Sequence, residues 1–291
     1  MQPLHFLRLA RPLDWLKNGF VPLGLLFGEA WSDAALVADV AVVTVAFCFA
    51  ASAVYAANDV ADAAADRRHP RKKERPVASG AIAPAAALGF AALLATAALG
   101  LAAIVSPATL ATIGGYLALN LAYSLALRRI PFVDVAAIAA GFMLRVLAGT
   151  WGVGIPPSSW LLATALALTL FLGFAKRRAE ILAPDQDGAA RPALHAYWPG
   201  LLNLLTLGTA ACAGALYAGF TLDRASIEWH AAPHLWLTAP PALAVLGRYV
   251  WLVFFRGKGE NPARDLIGDP WIAGLALLWL AITVAVIGGA V

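Results

Sequence analysis

Two cysteines in 291 residues are too few for a disulfide framework, and Cys48 and Cys212 both fall inside apolar runs. They are expected to be small packing residues rather than a bridge or a metal pair. Charge is also scarce. Asp, Glu, Lys and Arg make up 13% of the chain, against roughly 25% in soluble domains, which excludes an ordinary water-soluble surface. Histidine is thin too: five in all, with His69, His195, His230 and His234 in loop or interface positions and no nucleophile arrangement around them. No Gly-rich phosphate loop and no dinucleotide-binding fingerprint occurs. The first eighteen residues are amphipathic and no small-residue cleavage site follows, so a cleaved signal peptide is not expected. Neither a low-complexity linker nor a soluble insertion interrupts the chain, and residues 1–291 are expected to form a single domain.

What is present is apolar surface. The hydrophobic share is 61% and the mean hydropathy +0.75. The apolar runs are about as long as the roughly 20 residues that cross a bilayer. Nine spans are expected, at about 18–33, 36–57, 84–105, 109–127, 134–152, 158–175, 199–221, 233–255 and 270–291. Leu, Ala and Val fill them without strict alternation, which favours helices over barrel strands. The fold expected is thus an all-α integral membrane protein with a nine-helix bundle.

The basic residues give that bundle a direction. Lys and Arg gather before the first span and in the loops after the even-numbered ones, eighteen in all, whereas Arg224 stands alone in the opposite loops. The positive-inside rule places the rich side, with the N-terminus, in the cytoplasm and the C-terminus outside the plasma membrane. The net charge of +4 is therefore topological and gives no reason to invoke nucleic acid. Anionic membrane lipids and phosphate ligands are the expected partners.

One stretch concentrates charge beyond what topology asks. Residues 58–80 read "NDVADAAADRRHPRKKERPVASG", with acids at Asp59, Asp62 and Asp66 and six cations among the next nine residues. On a continuing helix, Asn58, Asp62 and Asp66 recur every four residues, and Asp59 and Asp66 lie seven apart. That spacing puts their oxygens on one face. Like charges so placed repel unless a cation sits among them, and hard oxygens suit Mg²⁺, which takes one or two carboxylates and completes its shell with water and phosphate. Asn58, Asp59, Asp62 and Asp66 are the candidate metal ligands, with Asp62 and Asp66 as catalytic candidates. Tyr55, one turn earlier, is either an interfacial aromatic or a hydroxyl bonded to the ligand that the metal holds.

The pattern resembles the N-D-x-x-D-x-x-x-D motif of the UbiA superfamily of intramembrane prenyltransferases. "RPLDWLKN" (11–18), "DRRHPRKKERPVASG" (66–80), "LAYSLALRRIPFVDVAAIAAGFMLRVLAG" (121–149) and "FAKRRAEI" (174–181) are similar to its decaprenyl-phosphate phosphoribosyltransferase branch. After about residue 181 the likeness thins to "GRYVWLVFFRGKGENP". The resemblance implies a nine-helix bundle with a polar cavity at one membrane face. It also implies transfer of 5-phosphoribose from phosphoribosyl diphosphate to a polyprenyl phosphate, with Mg²⁺.

Aromatic prenyltransferases of that superfamily carry a second motif, D-x-x-x-D, between spans six and seven. Here that loop reads "KRRAEILAPDQDGAAR", with Glu180, Asp185 and Asp187 in the wrong spacing. One acidic cluster with many cations fits ligands richer in phosphate than in metal. Lys17, Lys72, Arg128, Arg129, Lys176 and Arg177 are candidate phosphate contacts, each equally explained by topology or headgroup contact taken alone. Arg145 is sharper: it lies inside span five, about three turns from the cytoplasmic end, where an unpartnered charge costs several kcal/mol. Binding the acceptor phosphate is its expected role; Arg248 in span eight lies nearer the interface and carries less weight. Two other readings stay open: an aromatic prenyltransferase using a prenyl diphosphate, and a transporter, which predicts paired repeats and midplane charges.

Overall fold

The computed structural model describes residues 3–70, 72–182 and 197–289. Every regular element among the described residues is helical, and eight helices are long and apolar enough to cross a membrane. The chain divides into two compact units, Met1–Leu125 with Leu144–Pro156, and Ala126–Met143 with Pro157–Val291.

The first unit begins with the short amphipathic α1 (Pro3–Ala10) and a 3₁₀ segment over Pro12–Phe20. The first expected span is not one continuous helix. It is cut into that 3₁₀ segment, the five-residue α2 (Leu23–Phe27) and a 3₁₀ turn at Ala30–Ser32. The breaks have local causes. Pro22 lacks the N–H that a helix interior needs, and Glu29 adopts a left-handed φ of 54°. Tight packing also fixes the path: a Cβ on Gly149 would sit 1.8 Å from the Val21 carbonyl oxygen, and one on Gly24 1.9 Å from that of Gly149.

The chain then enters α3 (Ala34–Ala61), started by Asp33, whose carboxylate accepts from the Ala35 and Leu36 amides. At its far end come α4 (Ala63–Asp66) and a 3₁₀ turn at Lys72–Glu74. The spans α5 (Pro84–Val105) and α6 (Pro107–Leu125) follow, each opening on a proline, which costs nothing where the N–H would be unsatisfied anyway. α3 packs against both. Its buried face is mostly small (Ala46, Ala50, Ala53 and Ala56), and Ala98 and Ala102 of α5 join Phe47, Ile113 and Tyr116 in the core. Small residues let backbones approach closely where lipid supplies no hydrophobic drive.

The boundary between the units falls within α7 (Val133–Ala148). The second unit continues with α8 (Ser159–Leu182), α9 (Pro199–Leu222), the short α10 (Arg224–Trp229), α11 (Ala239–Phe255), α12 (Pro262–Gly268) and α13 (Pro270–Ile287). Phe171, Ala175, Ala210, Tyr249, Val253 and Ile272 form its main core. Large apolar residues such as Leu93, Ile104, Leu204 and Leu277 stay outside, as expected of surfaces that meet lipid rather than water. Asp185, Asp187, Arg191 and His195 lie outside the described residues, as does Arg71.

Candidate active site

The polar face of α3 organises the first unit. Ser52, Tyr55, Asp59, Asp62 and Asp66 follow one another at three- and four-residue steps, the spacing of one helical face. The helix does not stop abruptly: the Asp62 amide donates to the Asn58 carbonyl and the Asp66 amide to the Asp62 carbonyl, both at 2.9 Å, so helical register carries across the cap at Asp62.

The four candidate metal ligands separate into two pairs. Asp59 and Asp66 are buried, at 1% and 4% exposure. Asp59 Oδ1 meets Arg11 Nη2 at 2.5 Å and Arg75 Nη1 at 3.4 Å, and Arg75 Nη1 reaches Asp66 Oδ2 at 2.7 Å. Arg11 and Arg75 are thus the cations that the fold itself sets beside these two carboxylates. Asn58 and Asp62 are half-buried. Asn58 Oδ1 accepts from the Ser124 hydroxyl at 2.7 Å, which orients the amide oxygen and leaves its second lone pair for another partner.

This pair fits a hard cation. One half-buried carboxylate and one half-buried amide oxygen, a turn apart, match the small protein share of the shell that Mg²⁺ takes when substrate phosphate and water complete it. Among the described residues no group of three or more His, Cys, Asp or Glu side chains converges as a metal cage.

One turn up α3, the Tyr55 ring is flanked by two cations. The Arg11 guanidinium carbon lies 4.9 Å from its centroid and Lys17 Nζ 5.7 Å. Lys17 Nζ also donates to the Tyr55 oxygen at 3.3 Å and to Asp14 Oδ1 at 2.7 Å. Burial alone would lower the Lys17 ammonium, but Tyr55 and Asp14 outweigh it and hold the group above the ordinary lysine value. Lys17 is thus a fixed positive charge. Lys72 is half-buried in the turn past α4, its amide donating to His69 Nδ1 at 3.3 Å.

Arg145 is enclosed, at 4% exposure. Its Nε donates to Asn18 Oδ1 at 2.8 Å and its Nη2 to the Tyr116 hydroxyl at 3.2 Å. The guanidinium lies 4.6 Å from the Tyr116 ring and 5.3 Å from that of Phe47. Asn18, only 1% exposed, also donates to Cys48 Sγ at 3.1 Å. Arg145 therefore anchors the residue next to Lys17, a connection that sequence spacing does not suggest.

The second unit has its own polar cluster. Arg177, expected to contact substrate, is wholly buried: its Nε meets Asp134 Oδ2 at 2.6 Å and its Nη1 bonds Glu180. The Tyr197 hydroxyl donates to Asp134 Oδ1 at 2.7 Å and accepts from the Phe132 amide at 2.6 Å. Burial and then the bond to Asp134 push this phenol above its usual range. Arg177 joins α8 to α7 here. Arg128 and Lys176 are half-buried and Arg129 exposed. Arg248 makes a two-pronged contact with Asp269, its Nη2–Oδ2 distance 2.7 Å and its Nε–Oδ1 distance 3.3 Å, and Asp269 caps α13 through the Ile272 amide. Arg248 is a structural pair.

Comparison with known proteins bears on this architecture. The UbiA prenyltransferase family matches residues 20–266. The chain is 34% identical to the decaprenyl-phosphate phosphoribosyltransferase of Corynebacterium glutamicum, over 94% of its own length and 84% of that protein's. It is 33% identical to the enzyme of that name from Mycolicibacterium smegmatis, over 94% and 89%. A UbiA homolog from Archaeoglobus fulgidus bound to GPP and Mg²⁺ superimposes with a TM-score of 0.74 at 20% identity, covering 98% of this chain and 99% of that one.

Proposed function

The chain belongs to the UbiA prenyltransferase family, and from that premise we propose that it transfers 5-phosphoribose from phosphoribosyl diphosphate to a polyprenyl phosphate of the decaprenyl type. The observation that carries the reading is near-full-length similarity, 34% and 33% identity over 94% of the chain, to two enzymes named for transfer of phosphoribose to decaprenyl phosphate. The family match crosses both compact units, which supports treating residues 1–291 as one functional domain.

The chemistry requires little of the protein beyond positioning and charge. An ionised oxygen of the lipid phosphate forms a bond to ribose C1 as the C1–oxygen bond to diphosphate breaks. Diphosphate leaves with the bonding pair. No proton moves, because the acceptor is already ionised near neutral pH, and a His or Cys nucleophile has no task. Asn58 and Asp62 would hold Mg²⁺, which when bound neutralises the departing diphosphate; the bound metal in the Archaeoglobus neighbour supports divalent-ion use in this fold.

Lys17 stabilises donor phosphate charge, and Tyr55, bonded to it at 3.3 Å, orients the donor. Lys72 supplies a further donor contact. Arg128, Arg129 and Lys176 are assigned to substrate phosphate contacts in the second unit. Arg177 is not, because its guanidinium is committed to Asp134 and Glu180. Arg145, expected to grip the acceptor phosphate, is assigned instead to holding the segment that carries Lys17. The N-terminus and the site loops are placed in the cytoplasm by the basic-residue asymmetry. Single cysteines at Ser32 and Ser226 are then labelled from outside intact cells, and one at Gly188, beyond the described residues, only from inside.

The test is direct. Purified protein with Mg²⁺ and labelled phosphoribosyl diphosphate is offered polyprenyl phosphate, and in parallel a prenyl diphosphate with an aromatic acid. Label in the lipid fraction supports the proposal. Prenylation of the aromatic acid, with no phosphoribosyl transfer, refutes it and establishes the aromatic prenyltransferase reading.

A further inference from the structure

Of the three acids in the Asn58–Asp66 stretch, Asp59 and Asp66 are buried against arginine, whereas Asp62 is half-buried. Asp59 is 1% exposed, and its Oδ1 lies 2.5 Å from Arg11 and 3.4 Å from Arg75, while Arg75 continues to Asp66 at 2.7 Å. The order Arg11–Asp59–Arg75–Asp66 is an alternating chain of charges. It ties the junction after α1 to a distant region, the end of α3 with α4 and the basic loop that follows them. Its two arginines are partly open, at 26% and 28% side-chain exposure.

We propose that Arg11 and Arg75 are positioning residues, and that Asp59 and Asp66 serve the reaction as their counter-ions rather than as metal ligands. Neutralising Asp59 and Asp66 within the protein removes the repulsion that these two acids would otherwise exert on Asp62. Pinning both ends of the α3–α4 turn fixes the direction in which the Asn58 amide and the Asp62 carboxylate point. Arg11 gains a second constraint from the Tyr55 ring at 4.9 Å, so the same guanidinium sets the position of the phenol next to Lys17. The left-handed backbone at Arg11, φ 53°, agrees with this role, since strain of that kind persists where tertiary contacts over-determine it.

The inference rests on the reading of Asn58 and Asp62 as the metal-facing pair, and its test does not require turnover. Mn²⁺ is titrated into the full-length protein in nanodiscs in the presence of inorganic diphosphate, and bound ion is read by electron paramagnetic resonance. A double-mutant cycle compares Asp59→Asn, Arg11→Gln and the combination. Loss of an outer partner typically weakens metal binding about 10–100-fold, so each single variant is expected near the low end of that range. If Asp59 acts through Arg11, the combination is hardly worse than either single variant, within about 2-fold, because groups acting as a unit are non-additive. Arg11→Lys, which keeps the charge, is expected to recover most of the affinity.

Three results overturn the proposal. Asp59→Asn could weaken Mn²⁺ as much in the Arg11→Gln background as in the wild type, which makes Asp59 a direct ligand. Arg11→Gln could leave affinity unchanged in a protein that elutes and melts like wild type. The wild-type protein could fail to take up Mn²⁺ with diphosphate at all. Failure of phosphoribosyl transfer in the assay above, with the cycle still non-additive, would instead reject the substrate assignment and leave the positioning role standing.

Discussion

Replacing Arg145 by lysine keeps the positive charge and removes the planar fork. In the native protein that fork spans two partners, Asn18 Oδ1 at 2.8 Å and the Tyr116 hydroxyl at 3.2 Å, at 4% exposure. Hydrogen bonds to a charged group contribute about 1.5–3 kcal/mol each. The bond to Asn18 is short and the bond to Tyr116 long, and a lysine can satisfy only one of them without moving. A net loss of about 1–3 kcal/mol follows, a drop in Tm of roughly 2–10 °C for a chain of this size. The functional effect should follow the Asn18 bond. Asn18 adjoins Lys17, so freeing it lets the donor-side cation drift from Tyr55. The assay is a pair of saturation curves, one for phosphoribosyl diphosphate and one for polyprenyl phosphate, beside a melting curve. The expected outcome is a lower Tm with a raised KM for the donor. A defect confined to the polyprenyl phosphate curve, with Tm unchanged, refutes this reasoning and makes Arg145 an acceptor ligand. No change in any of the three measurements removes Arg145 from both roles.

Asp62→Ala is expected to abolish turnover while gel filtration and melting stay near wild type, because Asp62 is a half-buried ligand candidate rather than a core group; full activity at low Mg²⁺ would end the metal assignment. Gly149→Ala places a methyl 1.8 Å from the Val21 carbonyl oxygen, a backbone clash that costs at least the ~1–3 kcal/mol of ordinary overpacking, and an undiminished Tm would contradict the packing described. Acid should loosen α13: bonds from Arg248 hold the Asp269 carboxyl below the ordinary range, so its contribution is present above the unfolded value of about 3.9 and is lost as pH falls through the lower folded value. Asp269→Asn should flatten that part of the acid-unfolding profile, and an unchanged profile would show that the pair is not coupled to folding.

Hydropathy read the spans well for a physical reason: a bilayer demands length and apolarity from each helix separately, and both are local properties. The run predicted at 84–105 coincides with α5, and seven more predicted runs overlap long apolar helices. The first run failed because apolarity does not report continuity. Pro22 and the left-handed residue Glu29 break it, and Gly24 and Gly149 let its backbone lie where a helix with side chains would not fit. The candidate site was legible as a location but not as a wiring. Spacing grouped Asp59 with Asp62 and Asp66, whereas their partners lie far off in sequence: Arg11 is 48 residues from Asp59, and Asn18 is 127 from Arg145. Such pairings depend on helix packing. Arg177 shows the same limit, since nothing in "FAKRRAEI" distinguishes a buried partner of Asp134 from a phosphate contact.

The charges of residues 58–80 looked excessive because a membrane protein should have little use for them. The structure divides the excess into two portions with different tasks. One portion is neutralised internally: Asp59 and Asp66 by Arg11 and Arg75. The candidate substrate and metal contacts on that face are an amide, a carboxylate, a lysine and a phenol, at Asn58, Asp62, Lys17 and Tyr55. Lys17 is itself paired with Asp14 at 2.7 Å, so these groups alone offer a polyphosphate little net positive charge. A divalent ion beside Asp62 changes the sign of the site and makes phosphate binding favourable. Ion and donor then depend on each other, and each should bind more tightly in the presence of the other, by the same factor. Internal pairing of Asp59 and Asp66 with Arg11 and Arg75 takes two of the three carboxylates out of competition with phosphate for that ion.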